Sequence, residues 1–244
     1  MILGALAAAP LVDSQDPRPV LIVTGLVQEA RIAAGPGMTV ICSSSDPVQL
    51  RSLLAGFDAT TIRGVISFGV AGGLDPALKS GDVVVATDVT AEGGQWFAAD
   101  TLSGELIAGV GLGGQRVFRG SIAGVEKVVT GQAGKAVLRA ETGAVAVDME
   151  SHIAADFAAK AGVPFAALRV VSDPADRALP EIATSAIKPN GDIDIRKVLR
   201  GVARNPLVIG ALVSTGRDFN RALRSLRGCR SFMLGSSALV PTEV

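Results

Sequence analysis

The sequence predicts an α/β protein, a three-layer α/β/α sandwich around a central mixed, mostly parallel sheet. Runs rich in Val, Ile and Ala alternate with alanine-rich helical stretches. Strand-like runs end repeatedly in Gly or Asp, as in Val-Thr-Gly (23–25) and Val-Ser-Asp (171–173). Composition agrees, with 48% hydrophobic residues, 29 glycines and only 4% aromatics in 244 residues. No break in composition divides the chain. Residues 19–244 therefore form one expected domain, including a C-terminal helical segment, after an N-terminal extension over 1–18.

Taken in order, 19–25 reads as a buried strand running into a glycine turn. A short helix over 28–34 is stopped by Gly35-Pro36-Gly37. Residues 38–42 form a second strand. Asp46 and Pro47 then suit the cap and first position of a helix over 47–55. Strands follow at 62–70 and 82–89. The stretch 91–114 is glycine-rich and poorly periodic, and reads as a loop with a short helix near 102–108. Strands are expected at 115–122 and 127–130, with a helix over 132–140 and a strand at 144–147. A helix over 149–161 is ended by Gly162 and Pro164. The last strand is 165–171, and helices over 193–202 and 206–226 complete the chain.

Several function classes are disfavoured. Lys plus Arg and Asp plus Glu number 23 each, so no net field attracts nucleic acid. Arg217, Arg221, Arg224, Arg227 and Arg230 form a local basic stripe, read as a solvated or interfacial helix face, with polyanion or lipid-headgroup contact as the alternative. Two cysteines, Cys42 and Cys229, make no disulfide framework. Lone His152 gives no zinc constellation. The apolar start Met1–Pro10 lacks a basic n-region, and no run reaches the roughly 20 apolar residues that span a bilayer. A cytoplasmic protein with no cofactor is expected, with peripheral contact to the inner face of the membrane as the alternative.

In open α/β sheets ligands bind beyond strand C-terminal ends. Gly25, Gly69–Gly73, Asp148–Glu150 and Asp173 all fall there. Val70, Ala71 and Gly72 offer backbone donors where Gly69-Val70-Ala71-Gly72-Gly73 lets another group approach. This run matches neither a phosphate loop nor a dinucleotide fingerprint. Glu150 follows Asp148 at a helix start, so it is either an acid at a helix N-terminus, with Asp148 as cap, or a holder of ribose hydroxyls. Asp173 lies between Ser172 and Pro174. It reads as a turn residue or as the acid that protonates a leaving group. Arg169 stands in an otherwise apolar strand and needs a partner, for which Glu29 is the candidate. Glu29 itself reads as a helix-start residue or as a carboxylate that orients water.

In order along the chain, these segments resemble the nucleoside phosphorylase and nucleosidase superfamily, especially the 5'-methylthioadenosine/S-adenosylhomocysteine nucleosidases. The resemblance covers roughly 19–205. Gly-Leu-Val-Gln-Glu (25–29) is similar to the family's glycine turn and water-handling glutamate. Phe-Gly-Val-Ala-Gly-Gly-Leu (68–74) and Leu-Lys-Ser-Gly-Asp-Val-Val-Val-Ala-Thr (78–87) resemble its glycine loop and next strand. Asp-Met-Glu-Ser (148–151) resembles the segment whose Met and Glu, here Met149 and Glu150, hold the ribose. Arg-Val-Val-Ser-Asp (169–173) resembles the pair of an arginine near water and an aspartate that protonates purine N7.

The resemblance implies base cleavage with Asp173, Glu29 and Arg169 as catalytic groups. Substrate contacts are implied for Glu150, Met149, Val70, Ala71, Gly72, Ser121 and Ile122. Phe97, Phe118 and Phe165 are the candidates to stack the base. The family's glycine-loop serine is Val70 here, so a hydroxyl donor is missing and water or inorganic phosphate as acceptor stays open. Arg31 or a partner-subunit arginine is the candidate to offset carboxylate–phosphate repulsion. More narrowly, the start Ile-Val-Thr-Gly-Leu-x-x-Glu-Ala-Arg and a mean hydropathy of +0.43 look like the hopanoid-associated phosphorylases. That likeness implies an adenine nucleoside with an apolar 5' substituent, adenosylhopane, as substrate. The alternatives are a 5'-methylthioadenosine/S-adenosylhomocysteine nucleosidase and a noncatalytic nucleoside- or lipid-binding protein. A homodimer or higher oligomer is implied by the same resemblance.

Overall fold

In the computed structural model, residues 16–111, 114–180 and 209–230 are described. Most of the expected N-terminal extension and the helix expected over 193–202 lie outside them.

The strands are β1 (Val20–Thr24), β2 (Met38–Cys42), β3 (Gly64–Gly73), β4 (Val83–Ala91), β5 (Gly94–Phe97), β6 (Val117–Gly124), β7 (Ala146–Asp148) and β8 (Phe165–Asp173). The helices are α1 (Val27–Ala33), α2 (Pro47–Ala55), α3 (Asp100–Gly111), α4 (Gln132–Thr142), α5 (Ser151–Ala161) and α6 (Ile209–Gly228).

All eight strands join one mixed sheet. Parallel ladders dominate: β1 with β2 and β3, β3 with β8, β4 with β6, and β6 with β7. Antiparallel ladders join β3 to β7, β4 to β5 and β4 to β8. Because β8 pairs with both β3 and β4, the ladders close into a ring β3–β7–β6–β4–β8, with β1, β2 and β5 as outriggers.

Alternation along the strands makes the three layers. Leu21 and Val23 of β1, Val84 and Ala86 of β4, and Ala167 and Val171 of β8 pack with Leu50 and Leu54 of α2 and Ile153 and Ala158 of α5. Their neighbours Val20, Ile22, Val83, Val85, Leu168 and Val170 face the other way. They pack with Ile32 of α1, Leu102 and Leu106 of α3, and Leu223 and Leu226 of α6. The high mean hydropathy is thus largely the content of two alanine- and valine-rich cores.

Local signals are mostly realised. Asp46 caps α2 by accepting from the Val48 and Gln49 amides. Gly143 and Gly162 end α4 and α5 in the left-handed conformation, with φ of 69° and 66°. Two readings are corrected. The expected loop at 91–114 contains β5 and the full α3, whose Leu102, Leu106 and Val110 recur every four residues and are buried. The expected strand at 127–130 is a loop. Its β-branched residues find no strand to pair with, and Val129 packs against a small cluster around Leu74 and Val147 instead.

Candidate active site

Strand β3 positions the site. Its first half pairs with β1 through Val23–Ser67, and its tip pairs with β7 from Gly72 onward. Between these ladders β1 has ended and β7 has not begun, which opens a crevice beside Gly69–Ala71 of the kind where α/β sheets hold ligands.

Glu29, on the first turn of α1, reaches across this crevice. Its Oε2 accepts from the Gly25 and Leu26 amides at 2.9 and 2.8 Å, and its Oε1 accepts from the Val70 amide at 2.8 Å. Glu29 therefore does close its own helix start while also tying α1 to β3. Burial pushes its carboxyl up, against the Arg169 charge and the three amides that pull it down. Gly69 is needed for this approach, because an added Cβ would lie 2.7 Å from both the Glu29 carboxyl and the Arg169 guanidinium.

Arg169, opposite Gly69 in the β3–β8 ladder, is fully buried. Its expected partner was Glu29, but the closest carboxylate is Asp148, whose Oδ2 lies 2.5 Å from Nε. Nη2 donates to Ser67 Oγ at 2.5 Å and lies 3.5 Å from Glu150 Oε2, and Nη1 donates to the Val70 carbonyl at 3.4 Å. Asp148 also accepts from the Ser151 amide at 3.0 Å and from the Ser151 hydroxyl. One aspartate thus secures both the α5 start and the buried arginine.

Glu150 is the residue just before α5, with no side-chain bond to the helix end. Its Oε1 lies 2.6 Å from where a Cβ on Gly25 would stand, so Gly25 gives it room. Ser45 of the turn after β2 holds Gly25 in place, donating its amide to the Gly25 carbonyl at 2.8 Å. Burial pushes Glu150 up to about 8; Arg169 opposes this, while the Asp148 and Glu29 charges reinforce it. Three carboxylates thus crowd around one guanidinium.

Asp173 closes β8 on the other side of β3, opposite Gly72 in the ladder. A Cβ on Gly72 would lie 3.2 Å from Asp173 Oδ2 and 3.1 Å from Val147 Cγ1, so β3 is the thin wall between Asp173 and β7. Both carboxylate oxygens already have donors. Lys135 Nζ donates to Oδ2 at 2.6 Å and Ser172 Oγ to Oδ1 at 2.6 Å. Burial pushes the Asp173 carboxyl up, with Lys135 the foremost opposing influence.

The other expected site residues are placed as follows. Val70 and Ala71 lie on the crevice strand, with the Ala71 carbonyl accepting from Ser172 Oγ at 3.2 Å. Met149 is half-buried beside Glu150. Ser121 gives its hydroxyl to Asp88 at 2.8 Å, and Ile122 is a core side chain. Phe165 is in the core, Phe118 is half-buried under the Arg116 guanidinium at 5.0 Å, and Phe97 is 74% exposed on β5. Arg31 does not join the carboxylates. It faces Gln28, Arg227 and Arg230 in a cavity of about 360 Å³ between α1 and α6.

Lys135, Ser67 and Ser151 were not singled out from the sequence. Lys135 had a signal, because helical spacing puts it in line with Leu138 on the inward side of α4. Among the described residues, no group of His, Cys, Asp and Glu is arranged to hold a metal ion. No described helix is long and apolar enough to cross a membrane.

A sequence model of the Phosphorylase superfamily matches residues 17–201. The chain belongs to the Phosphorylase superfamily. Among solved structures of similar fold is the 5'-methylthioadenosine/S-adenosylhomocysteine nucleosidase of Neisseria meningitidis, in complex with methylthio-immucillin-A. It is 19% identical with a TM-score of 0.66, over 88% of this chain and 98% of that one. The corresponding Helicobacter pylori nucleosidase is 18% identical with a TM-score of 0.64, over 90% and 97%. The futalosine hydrolase of Helicobacter pylori is 18% identical with a TM-score of 0.63, over 88% and 95%. At these identities the likeness establishes the superfamily fold. It also corrects the narrower expectation of kinship with hopanoid-associated phosphorylases. The solved structures named above are nucleosidases and a futalosine hydrolase, and the apolar composition behind that expectation is accounted for by the two cores.

Proposed function

We propose that this superfamily member hydrolyses the N-glycosidic bond of an adenine nucleoside carrying an apolar 5' substituent, as a 5'-methylthioadenosine/S-adenosylhomocysteine nucleosidase does. The observation that carries the reading is the crowding of Glu29, Asp148 and Glu150 around Arg169 beside the glycine crevice. Cleavage builds positive charge on the sugar, and carboxyl groups that ionise beside it stabilise an oxocarbenium-like transition state. In this reading Glu150 and Met149 hold the ribose, Glu29 orients the attacking water, and Asp173 protonates the leaving base at N7. Arg169 keeps the carboxylates in register.

Water is favoured over phosphate as acceptor. The one guanidinium in the cluster is fully buried and already bonded to Asp148, Ser67 and the Val70 carbonyl. Val70 contributes no hydroxyl, and a phosphate dianion beside these carboxylates would be repelled.

The test is to incubate the protein with 5'-methylthioadenosine, S-adenosylhomocysteine and futalosine, each with and without phosphate, and to resolve free base, free sugar and sugar phosphate. Free adenine and free sugar from the two adenosine derivatives, at a rate independent of phosphate, are expected. Phosphate-dependent sugar phosphate would overturn the choice of acceptor, and binding without base release would make the protein a nucleoside-binding module. In the same assay Asp173→Asn is expected to lose about 10²–10⁴-fold in rate, the span of general acid catalysis, with the fold retained.

A further inference from the structure

Lys135 is a fully buried charged group of the described residues that the proposed reaction leaves without a role. Its side chain is 1% exposed and its ammonium meets four acceptors. These are Asp173 Oδ2 at 2.6 Å and the carbonyls of Asp173, Pro174 and Arg177 at 3.1, 2.9 and 3.1 Å. An ammonium has three hydrogens, so they are all committed. The turn that follows β8 is therefore wrapped around a single cation from α4. Further bonds fasten the wrapping, with Arg177 N donating to the Pro174 carbonyl at 3.0 Å and Leu179 N to the Thr130 carbonyl at 2.8 Å.

A lysine buried only to pack would be replaced at no loss by an apolar chain, since burying its charge is costly. Here the desolvation is offset by three carbonyls and one carboxylate, and that carboxylate is the candidate acid. We propose that Lys135 is a positioning residue for the leaving-group acid, fixing the Asp173 carboxylate and the Asp173–Arg177 turn against β3 and limiting the pH range over which Asp173 carries a proton. The inference rests on the assignment of Asp173 as that acid.

The proton follows from the geometry. The Lys135 N–H groups are all directed at acceptors of the chain, so Lys135 does not supply the proton that the base takes. Asp173 gains its proton from solvent before the base is seated. It then passes that proton to base N7 as the glycosidic bond breaks, and the bond electrons leave with the base. The charged groups around Asp173 are Lys135 from α4, which opposes protonation, and Asp218 from α6, which favours it. Asp218 is itself 3.6 Å from Arg177.

The experiment compares Lys135→Met and Lys135→Arg with the parent protein. In Lys135→Met, burial and Asp218 are opposed only by the Ser172 hydroxyl, so the alkaline limb of kcat against pH is expected to move to higher pH. The looser carboxylate lowers kcat by about 10–100-fold with KM nearly unchanged, in line with the roughly 10²-fold cost of small misplacements. Lys135→Arg keeps the charge and should leave the limb in place while still lowering kcat. An unmoved limb in Lys135→Met, or equal loss in both variants, overturns the proposal. The Asp173 carboxyl is also followed by carbon NMR in the substrate-free protein, assigned through Asp173→Asn. A titration midpoint that rises in Lys135→Met supports the pairing even if the parent releases no base, whereas an unchanged midpoint overturns it. Should Lys135→Met fail to fold, Lys135→Arg decides. Parental kcat in that variant removes the positioning role.

Discussion

Two glycines in the crevice are spaces reserved for carboxylates. In Gly25→Ala the new methyl would stand 2.6 Å from Glu150 Oε1, and the neighbouring backbone is pinned by Ser45. Base release is expected to fall by about 100-fold, the cost of roughly an ångström of misplacement, with circular dichroism unchanged. The buried carboxyls also leave a mark on stability. Glu150 has an ordinary value of 4.5 and is held at about 8 in the fold, so the folded state binds the proton more tightly. Stability from this group is complete below about 4.5 and is lost as pH rises through about 8. Glu29 and Asp173 are shifted in the same direction. The melting temperature of the ligand-free protein is expected to fall between these pH values, and to fall less in Glu150→Gln. The carboxylates were legible in the sequence because each stands where an apolar strand stops. The partner of Asp173 was not, because Lys135 lies 38 positions away and only the closed sheet brings them together.

At the scale of elements, periodicity succeeded where one face is buried and failed where glycine diluted it. Helix α3 carries Gly104 and Gly109, which lower its propensity, yet Leu102, Leu106 and Val110 fix its inward side. Leu106→Ala is expected to cost about 2–5 kcal/mol, read as a lower urea midpoint with an unchanged slope. Helix α5 begins where Asp148 also anchors Arg169, so a change there acts on fold and site together. Asp148→Asn would keep an acceptor for the Ser151 amide but remove the charge facing Arg169. It is expected to reduce base release far more than it shortens the helix, measured by turnover beside far-ultraviolet circular dichroism.

For the whole molecule, alternating strands and helices made the layers readable, whereas the ring of strands was not. Ring closure depends on β8 choosing two neighbours, β3 in parallel and β4 in antiparallel register. Both choices are long-range pairings that local patterns do not encode. The dominance of β3 has a further consequence. Glu29 bonds to its Val70 amide, Arg169 lies against its Gly69 and reaches Glu150, and Asp173 sits against its Gly72. The site is therefore surveyed from a datum line through the middle of the sheet, to which α1, the α5 start and β8 each bring a group, so losing that line would release them together. Heat should extinguish turnover and melt the protein in one event, because the ruler that spaces the reactive groups is also the strand that ties β1, β7 and β8 into one sheet.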